Sequence, residues 1–215
     1  MKLNLIIGVL ISVLIFSACS NQQPQQESES KATKTNSIQL TDSLKNVLIQ
    51  RGDNIAKHAQ AAFQSALKKT IKTNGMEYAI GFCNTEAMQI TDSISGTQNA
   101  KIRRLAKKYR NPLNETNDAE SEIYKTYILE WLKRETLYPK IITDEQGHPV
   151  YYRPIGIEAV CLNCHGVPGE DIPSPLAEKI AQLYPEDKAI DFTKGELRGM
   201  WAIRFEEYLV TNDVN

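Results

Sequence analysis

The chain has 215 residues, of which 41% are hydrophobic, and its 25 Lys and Arg nearly balance 26 Asp and Glu. This size and composition suit one globular domain with accessory segments. A net charge of −1, with the basic residues spread along the chain, argues against nucleic acid as a partner.

Residues 1–18 predict a lipoprotein signal peptide. Lys2 precedes an apolar run over residues 5–16, and small residues then lead into Cys19. Cys19 is the predicted lipidation site, which would anchor the mature chain to a membrane through its acyl chains. An ordinary signal peptide cut nearby, or an uncleaved anchor, is the alternative. We therefore expect a lipoprotein of the bacterial cell envelope that faces the periplasm, on the outer membrane.

Residues 19–40 predict a flexible tether, because Gln, Ser, Lys and Thr dominate and large apolar groups are nearly missing. The predicted domain covers residues 41–215 and begins with a long helix from an N-cap at Thr41 to about Asn74. His58 lies beside its apolar stripe and is expected to be structural rather than a metal ligand. The stripe has helical spacing: Leu44, Leu48, Ile55, Ala59, Ala62 and Ala66.

A second helix is predicted from about Met76, and Cys83 falls on its apolar face. An unpaired cysteine often only packs in a core. Outside the cytoplasm, however, an unpaired thiol is unusual enough to need a reason. A thiolate bound to iron would be one such reason.

The second half of the chain alternates between short elements. An extended segment over residues 100–109 ends at Pro112, and Asn117 with Glu120 predicts a capping box for a third helix. Two strands, 140–143 and 150–155, flank a hairpin turn that ends at Gly147, and His148 beside this turn is expected to be exposed. A short helix (174–183) and a final strand (198–205) complete an α+β domain, in which long N-terminal helices pack with a small antiparallel sheet.

The motif Cys161-Leu162-Asn163-Cys164-His165 is typical of covalent attachment of a c-type haem. Cys161 and Cys164 would form thioethers to the porphyrin, and His165 would present a ring nitrogen to the iron. A zinc half-site normally needs a second pair of ligands at short spacing, and the sequence has no second Cys-x-x-Cys. A thioredoxin-like pair belongs early in a βαβ unit, whereas this motif follows a predicted hairpin.

Several arginines before and after this motif in the chain are suited to carboxylate recognition. Arg110, Arg104 and Arg198, with Arg103 beside them, are candidates to bind the haem propionates, and ordinary surface charges are the alternative. The aromatic residues Tyr109, Tyr152 and Trp201 are candidates to line the pocket or the core.

Several separated stretches together resemble the Tll-like family of c-type haem domains, best known from cyanobacteria. They are residues 81–83, residues 103–112 ending in Tyr-Arg-Asn-Pro, the motif with Gly166, residues 184–189 and residues 195–199. The resemblance covers about residue 41 to the C-terminus. It implies a PAS-like α+β fold and one haem c, with His165 on one side of the iron and the Cys83 thiolate on the other.

The sequence thus predicts a membrane-anchored, single-haem sensor of redox state or of a diatomic gas. Reduction would weaken the bond from iron to Cys83 and open a coordination position, and the signal would pass to an unidentified redox or signalling protein. A simple periplasmic electron carrier is the alternative. A peroxidase would need an acid–base side chain at an open distal site, and the sequence offers no His or Glu that we would assign to it. No enzymatic activity is therefore expected. Met200 is the rival sixth ligand, although its neighbours predict a core residue.

Overall fold

A computed structural model describes residues 36–210, apart from the side chains of residues 36–38 and 82–87. The helices are α1 (Asp42–Asn74), α2 (Met76–Gln98), α3 (Asp118–Leu132), α4 (Leu162–His165) and α5 (Ser174–Leu183). The strands are β1 (Asn36–Ile38), β2 (Ala100–Leu105), β3 (Lys140–Thr143), β4 (Pro149–Gly156), β5 (Leu197–Phe205) and β6 (Tyr208–Val210). Short 3₁₀ turns cover Pro112–Asn114 and Ala159–Cys161. The predicted α+β class is confirmed.

The helix starts follow the capping residues that the sequence offers. The Thr41 side chain accepts a hydrogen bond from the Leu44 amide (3.3 Å) at the start of α1. At the start of α3, Asn117 and Glu120 form the predicted capping box, each side chain accepting from the other's amide. Gly75 alone joins α1 to α2, with φ +86°, a conformation that glycine adopts without steric strain. None of the helices within residues 36–210 is apolar enough over a sufficient length to span a bilayer.

Four strands form an antiparallel sheet in the order β2-β5-β4-β3. The pair β2 and β5 runs from Ala100 opposite Phe205 to Leu105 opposite Met200. The extended segment predicted to reach residue 109 stops at Leu105, because the next amide, that of Ala106, donates to the Asn114 carbonyl oxygen (2.9 Å). The chain then turns away from β5, and this turn carries Tyr109 and Arg110 towards the haem motif.

Side-chain alternation along β5 divides the core between the two faces of the sheet. Trp201, Ile203 and Phe205 pack against the apolar stripe of α1 and against α2. Met200 and Ala202 point to the other face, where α3 covers them. The stripe predicted on α1 is confirmed, since Leu48, Ile55 and Ala59 are buried. His58, beside this stripe, is exposed.

Strands β1 and β6 form a two-stranded parallel sheet that no sequence pattern indicated. Strand β6 lies over the β3–β4 hairpin turn, where the Val210 amide donates to the Gly147 carbonyl oxygen (2.7 Å). The prediction that His148 is exposed is therefore wrong. Its ring is half-buried, and Nδ1 lies 2.7 Å from the Tyr208 carbonyl oxygen.

Helix α1 approaches the sheet closely at Gly52, which packs against the ring of Tyr151 in β4. Tyr151 is fully buried, and its hydroxyl donates to the carboxylate of Asp53. A Cβ atom on Gly52 would overlap the ring atoms of Tyr151, whereas one on Gly96 in α2 would meet nothing within 4 Å. The two helix glycines therefore offer a matched comparison.

We expect Gly52→Ala to lower the free energy of unfolding by about 2 kcal/mol, because overpacking a fixed core ring outweighs the helix propensity of Ala. Gly96→Ala should raise the free energy of unfolding by about 0.5–1 kcal/mol, since it gains the propensity without a clash. Urea unfolding followed by circular dichroism measures both. Equal stability of the two variants would contradict this packing of α1 on Tyr151.

Candidate haem site

The predicted attachment motif folds into one short helical stretch after β4. Cys161 ends a 3₁₀ turn, and Cys164 lies in the single-turn helix α4. The two thiols are three residues apart along this stretch, and both side chains are partly exposed. Cys161 packs against the apolar cluster of Ile157, Ala189 and Phe192. Cys164 packs against a second cluster, which includes Ile80 of α2 and residues of α5.

His165 is held from behind by the segment that follows α5. Its Nδ1 lies 2.7 Å from the Ala189 carbonyl oxygen. A carbonyl oxygen only accepts, so the proton belongs to Nδ1 and the Nε2 lone pair is the one available to a metal. Phe192 meets the imidazole ring edge-on, at a centroid distance of 6.3 Å. The backbones of the two residues are also hydrogen-bonded, since the Phe192 amide donates to the His165 carbonyl oxygen (3.0 Å).

The charges around His165 are positive. Burial, followed by the guanidinium groups of Arg198 and Arg110, holds the pKa of His165 well below its usual value. The imidazole is therefore neutral at pH 7, which is the form that binds a metal ion.

Arg104 and Arg198, two of the predicted propionate ligands, act electrostatically on each other and on His165. Burial, and then the charges of Arg110 and Arg104, lower the pKa of Arg198 to about 10. The Arg198 guanidinium lies 5.4 Å from the ring centroid of Phe192 and donates to the Lys108 carbonyl oxygen (2.9 Å). The Arg104 guanidinium stacks over Phe63, at 4.3 Å. These two partly buried cations, with Arg110 nearby, set up a positive field that would attract an anion such as a propionate.

The other two arginines have protein carboxylates as partners. Arg103 forms an ion pair with Glu120 of α3 (2.7 Å). Arg110 forms a buried ion pair with Asp187 (2.9 Å) beside the motif. The structure thus gives Arg110 a protein anion as its partner, whereas the guanidinium of Arg198 donates to a backbone carbonyl oxygen. Arg198 is therefore the stronger of these two candidates for a propionate.

Of the two candidates for sixth ligand, Met200 is a core residue. It is fully buried among Leu105, Tyr124 and Tyr127, on the α3 face of the sheet. Trp201, the next residue, faces α1 and lies near Arg104 (5.9 Å from its ring centroid to the guanidinium). Tyr109 and Tyr152 are also buried, and Tyr152 packs in the same cluster as Met200.

The side chain of Cys83 lies outside the described part of the structure, as does Cys19. The backbone of α2 passes close to the motif one helical turn before residue 83. There the Tyr184 hydroxyl donates to the Ile80 carbonyl oxygen (2.9 Å), and Ile80 shares an apolar cluster with Cys164.

Asp187, Ala189 and Phe192 support His165, although no sequence pattern assigns a role to any of them. Residues 184–189 contribute to the family resemblance only as a matching stretch. Their one local signal is Asp187, whose Oδ1 accepts from the Ala189 amide two residues later (2.8 Å), an Asx turn.

Comparisons with known proteins identify the family and the fold of this chain. The family model described as Tll0287-like matches residues 22–205. The chain belongs to the Tll0287-like family. The predicted family resemblance is thereby confirmed. The fold is also similar to the crystal structure of the cyanobacterial heme-protein Tll0287, with a TM-score of 0.52 and 22% sequence identity. That similarity covers 74% of this chain and 92% of the other. No curated protein matches this chain.

Proposed function

We propose that this Tll0287-like chain carries one covalent haem c and acts as an envelope-anchored sensor of redox state or of a diatomic gas. The observation that carries the proposal is the hydrogen bond from His165 Nδ1 to the Ala189 carbonyl oxygen. It orients the histidine of a Cys-x-x-Cys-His motif and leaves Nε2 for iron. The structurally similar protein Tll0287 is a heme-protein, which supports the same cofactor.

Each group of the site has a separate task in this proposal. Cys161 and Cys164 tether the haem through thioethers, and His165 supplies the proximal nitrogen. Arg198 would attract a propionate, and Arg104 is a further candidate beside it. A haem held there would supply one-electron chemistry and a coordination position for a gas. Cys83 is the proposed distal ligand, on the helix that approaches the motif at Ile80.

A sensor needs an element whose state depends on the ligand. Helix α2 is the proposed element, because it carries Cys83 and contacts α1, α5 and β2. Loss of a bond between Cys83 and the iron would remove one restraint on the position of this helix. Cys19 would tether the domain to the membrane, where a redox or signalling protein could detect the change.

An electron carrier is the second candidate. Val160, directly before Cys161, is 70% exposed. Its side chain is available to a redox partner that docks at the attachment site. An electron carrier would keep both axial ligands in both oxidation states, whereas the proposed sensor would exchange one of them on reduction.

The proposal is tested by producing the full chain with a haem-maturation system and measuring its intact mass and absorption spectrum. We expect a mass gain equal to one haem, and a visible haem spectrum that survives denaturation. The mass gain should be absent from the Cys161→Ser/Cys164→Ser variant, because each thioether needs a cysteine sulfur.

Cys83→Ser is the matched control, since it removes a thiol that the proposal assigns to iron and not to the porphyrin. It should keep the covalent mass. The same mass spectrum shows whether processing leaves an acylated Cys19 at the N-terminus. A colourless chain without added mass, made beside a cytochrome that the same system does mature, would contradict the haem proposal.

A further inference from the structure

A buried ion pair lies directly behind the haem motif. Arg110 follows β2, and Asp187 follows α5. Nε and Nη2 of Arg110 both donate to Asp187 Oδ2, at 3.1 and 2.9 Å. The side chains are 9% and 7% exposed. Burying two charges carries a desolvation penalty of several kcal/mol per ion, so such a pair is weak evidence of a role in stability alone.

The same guanidinium also contacts the backbone of the two segments that meet at the motif. Nη2 of Arg110 donates to the Cys164 carbonyl oxygen at 2.7 Å. It also donates to the Ala189 carbonyl oxygen at 3.3 Å. One side chain therefore connects the second cysteine of the motif to the segment that supports His165.

Asp187 holds Ala189 from the other side. Its Oδ1 accepts from the Ala189 amide at 2.8 Å, while its Oδ2 accepts from Arg110. The Ala189 carbonyl oxygen in turn accepts from His165 Nδ1 at 2.7 Å. A closed ring of contacts thus runs from Cys164 through Arg110, Asp187 and Ala189 to His165, which follows Cys164 in the chain.

We propose that the Arg110–Asp187 ion pair is a positioning clamp for His165. The pair fixes the Ala189 carbonyl oxygen, and this oxygen fixes the tautomer and the orientation of the imidazole. The inference deepens the proposed function, because a fixed Nε2 matters most if His165 binds iron. Arg110 and Asp187 are positioning residues, since they act through Ala189.

A geometric role can be distinguished from an electrostatic one, because the partners have opposite charge. Arg110→Gln removes a positive charge, and Asp187→Asn removes a negative charge. An effect of charge on the reduction potential must therefore have opposite signs in the two variants. Loss of the clamp must act on His165 in the same direction in both. In Asp187→Asn, an amide nitrogen in place of Oδ2 would set one donor against another at Arg110.

The test begins with the haem-free full chain, made without the maturation system. The side-chain ¹⁵N resonances of His165 report its tautomer directly. We expect the Nδ1–H tautomer alone in the unmodified chain, and a mixture of both tautomers in Arg110→Gln and in Asp187→Asn. Arg103→Gln is the matched control, because Arg103 forms an ion pair of similar length with Glu120 of α3 (2.7 Å) and donates to the Glu115 carbonyl oxygen rather than to Cys164 or Ala189. It should keep the single tautomer.

The haem-loaded chain gives the second readout. We expect one low-spin ferric species by electron paramagnetic resonance in the unmodified chain and in Arg103→Gln. Both clamp variants should show more than one species, whereas a purely electrostatic role would only shift their midpoint potentials in opposite directions. Circular dichroism checks the fold. If Arg110→Gln does not fold, Arg110→Lys and Asp187→Asn are measured instead. Arg110→Lys keeps the positive charge and loses the planar guanidinium with its several donors.

A single Nδ1–H tautomer in folded Arg110→Gln and Asp187→Asn would overturn the clamp. This result is independent of whether the chain takes up haem, since the tautomer is read without it. Failure of the clamp and failure of the haem proposal are therefore separate outcomes.

Discussion

Replacing His165 with alanine should leave the haem covalently attached but abolish the low-spin ferric absorption spectrum. The proposed thioethers to Cys161 and Cys164 would not depend on the imidazole, whereas a low-spin ferric iron needs strong ligands on both faces. The loss should be complete, because the Nδ1 bond to Ala189 holds this imidazole beside the two thiols. Intact mass and the Soret band of the purified haem-loaded variant measure the two effects separately.

The chain provides two matched controls for this substitution, since it contains three histidines. His58 is exposed on α1, and the His148 ring contacts the Tyr208 carbonyl oxygen beside β6. His58→Ala and His148→Ala should both keep the low-spin spectrum. A low-spin spectrum that persists in His165→Ala and disappears in one of these two would mean that another histidine binds the iron.

Local signals in the sequence predicted the helices well. Thr41 and Asn117 offer side-chain acceptors at helix starts, and Gly75 can adopt a positive φ between two helices. These signals work because capping needs residues only two or three positions apart. The same is true of the hairpin turn, in which Gly147 has φ +86°.

Features that join distant parts of the chain are not predictable in the same way. Strand β2 pairs with β5 about a hundred residues later in the sequence, as Ala100 opposite Phe205 shows, and alternation alone does not identify a strand's partner. The sequence makes Arg110 a candidate propionate ligand because Arg suits any carboxylate. Its actual partner, Asp187, is brought near only when α5 and the following loop fold against the motif.

Met200 has one property that local sequence predicts and one that depends on distant parts of the chain. Its neighbours in the sequence predict a core residue, and the structure confirms complete burial. Which face of the sheet it occupies depends on the register of β5 and on α3, neither of which the local sequence determines. That face lies opposite the one where Trp201 meets Arg104.

Substitution at the two candidate distal ligands should have opposite consequences. Cys83→Ala should convert the low-spin ferric spectrum to a different form. Met200→Leu should leave that spectrum unchanged, because Leu keeps the volume of the core residue and lacks only the thioether sulfur; its cost in unfolding free energy should stay below about 1.5 kcal/mol. Met200→Ala should cost about 2–5 kcal/mol, again without changing the spectrum. A spectrum altered by Met200→Leu and not by Cys83→Ala would identify Met200 as the ligand.

The ferrous state then separates the sensor from the electron carrier. An anionic thiolate stabilises ferric iron, so the proposed bond to Cys83 should weaken on reduction and leave a position for carbon monoxide. We expect the ferrous chain to bind the gas, and Cys83→Ala to bind it faster, since no protein ligand must leave first. Stopped-flow absorption measures both rates. A ferrous chain that keeps two protein ligands and ignores carbon monoxide would favour electron transfer, because rapid exchange of electrons is easiest when no ligand changes.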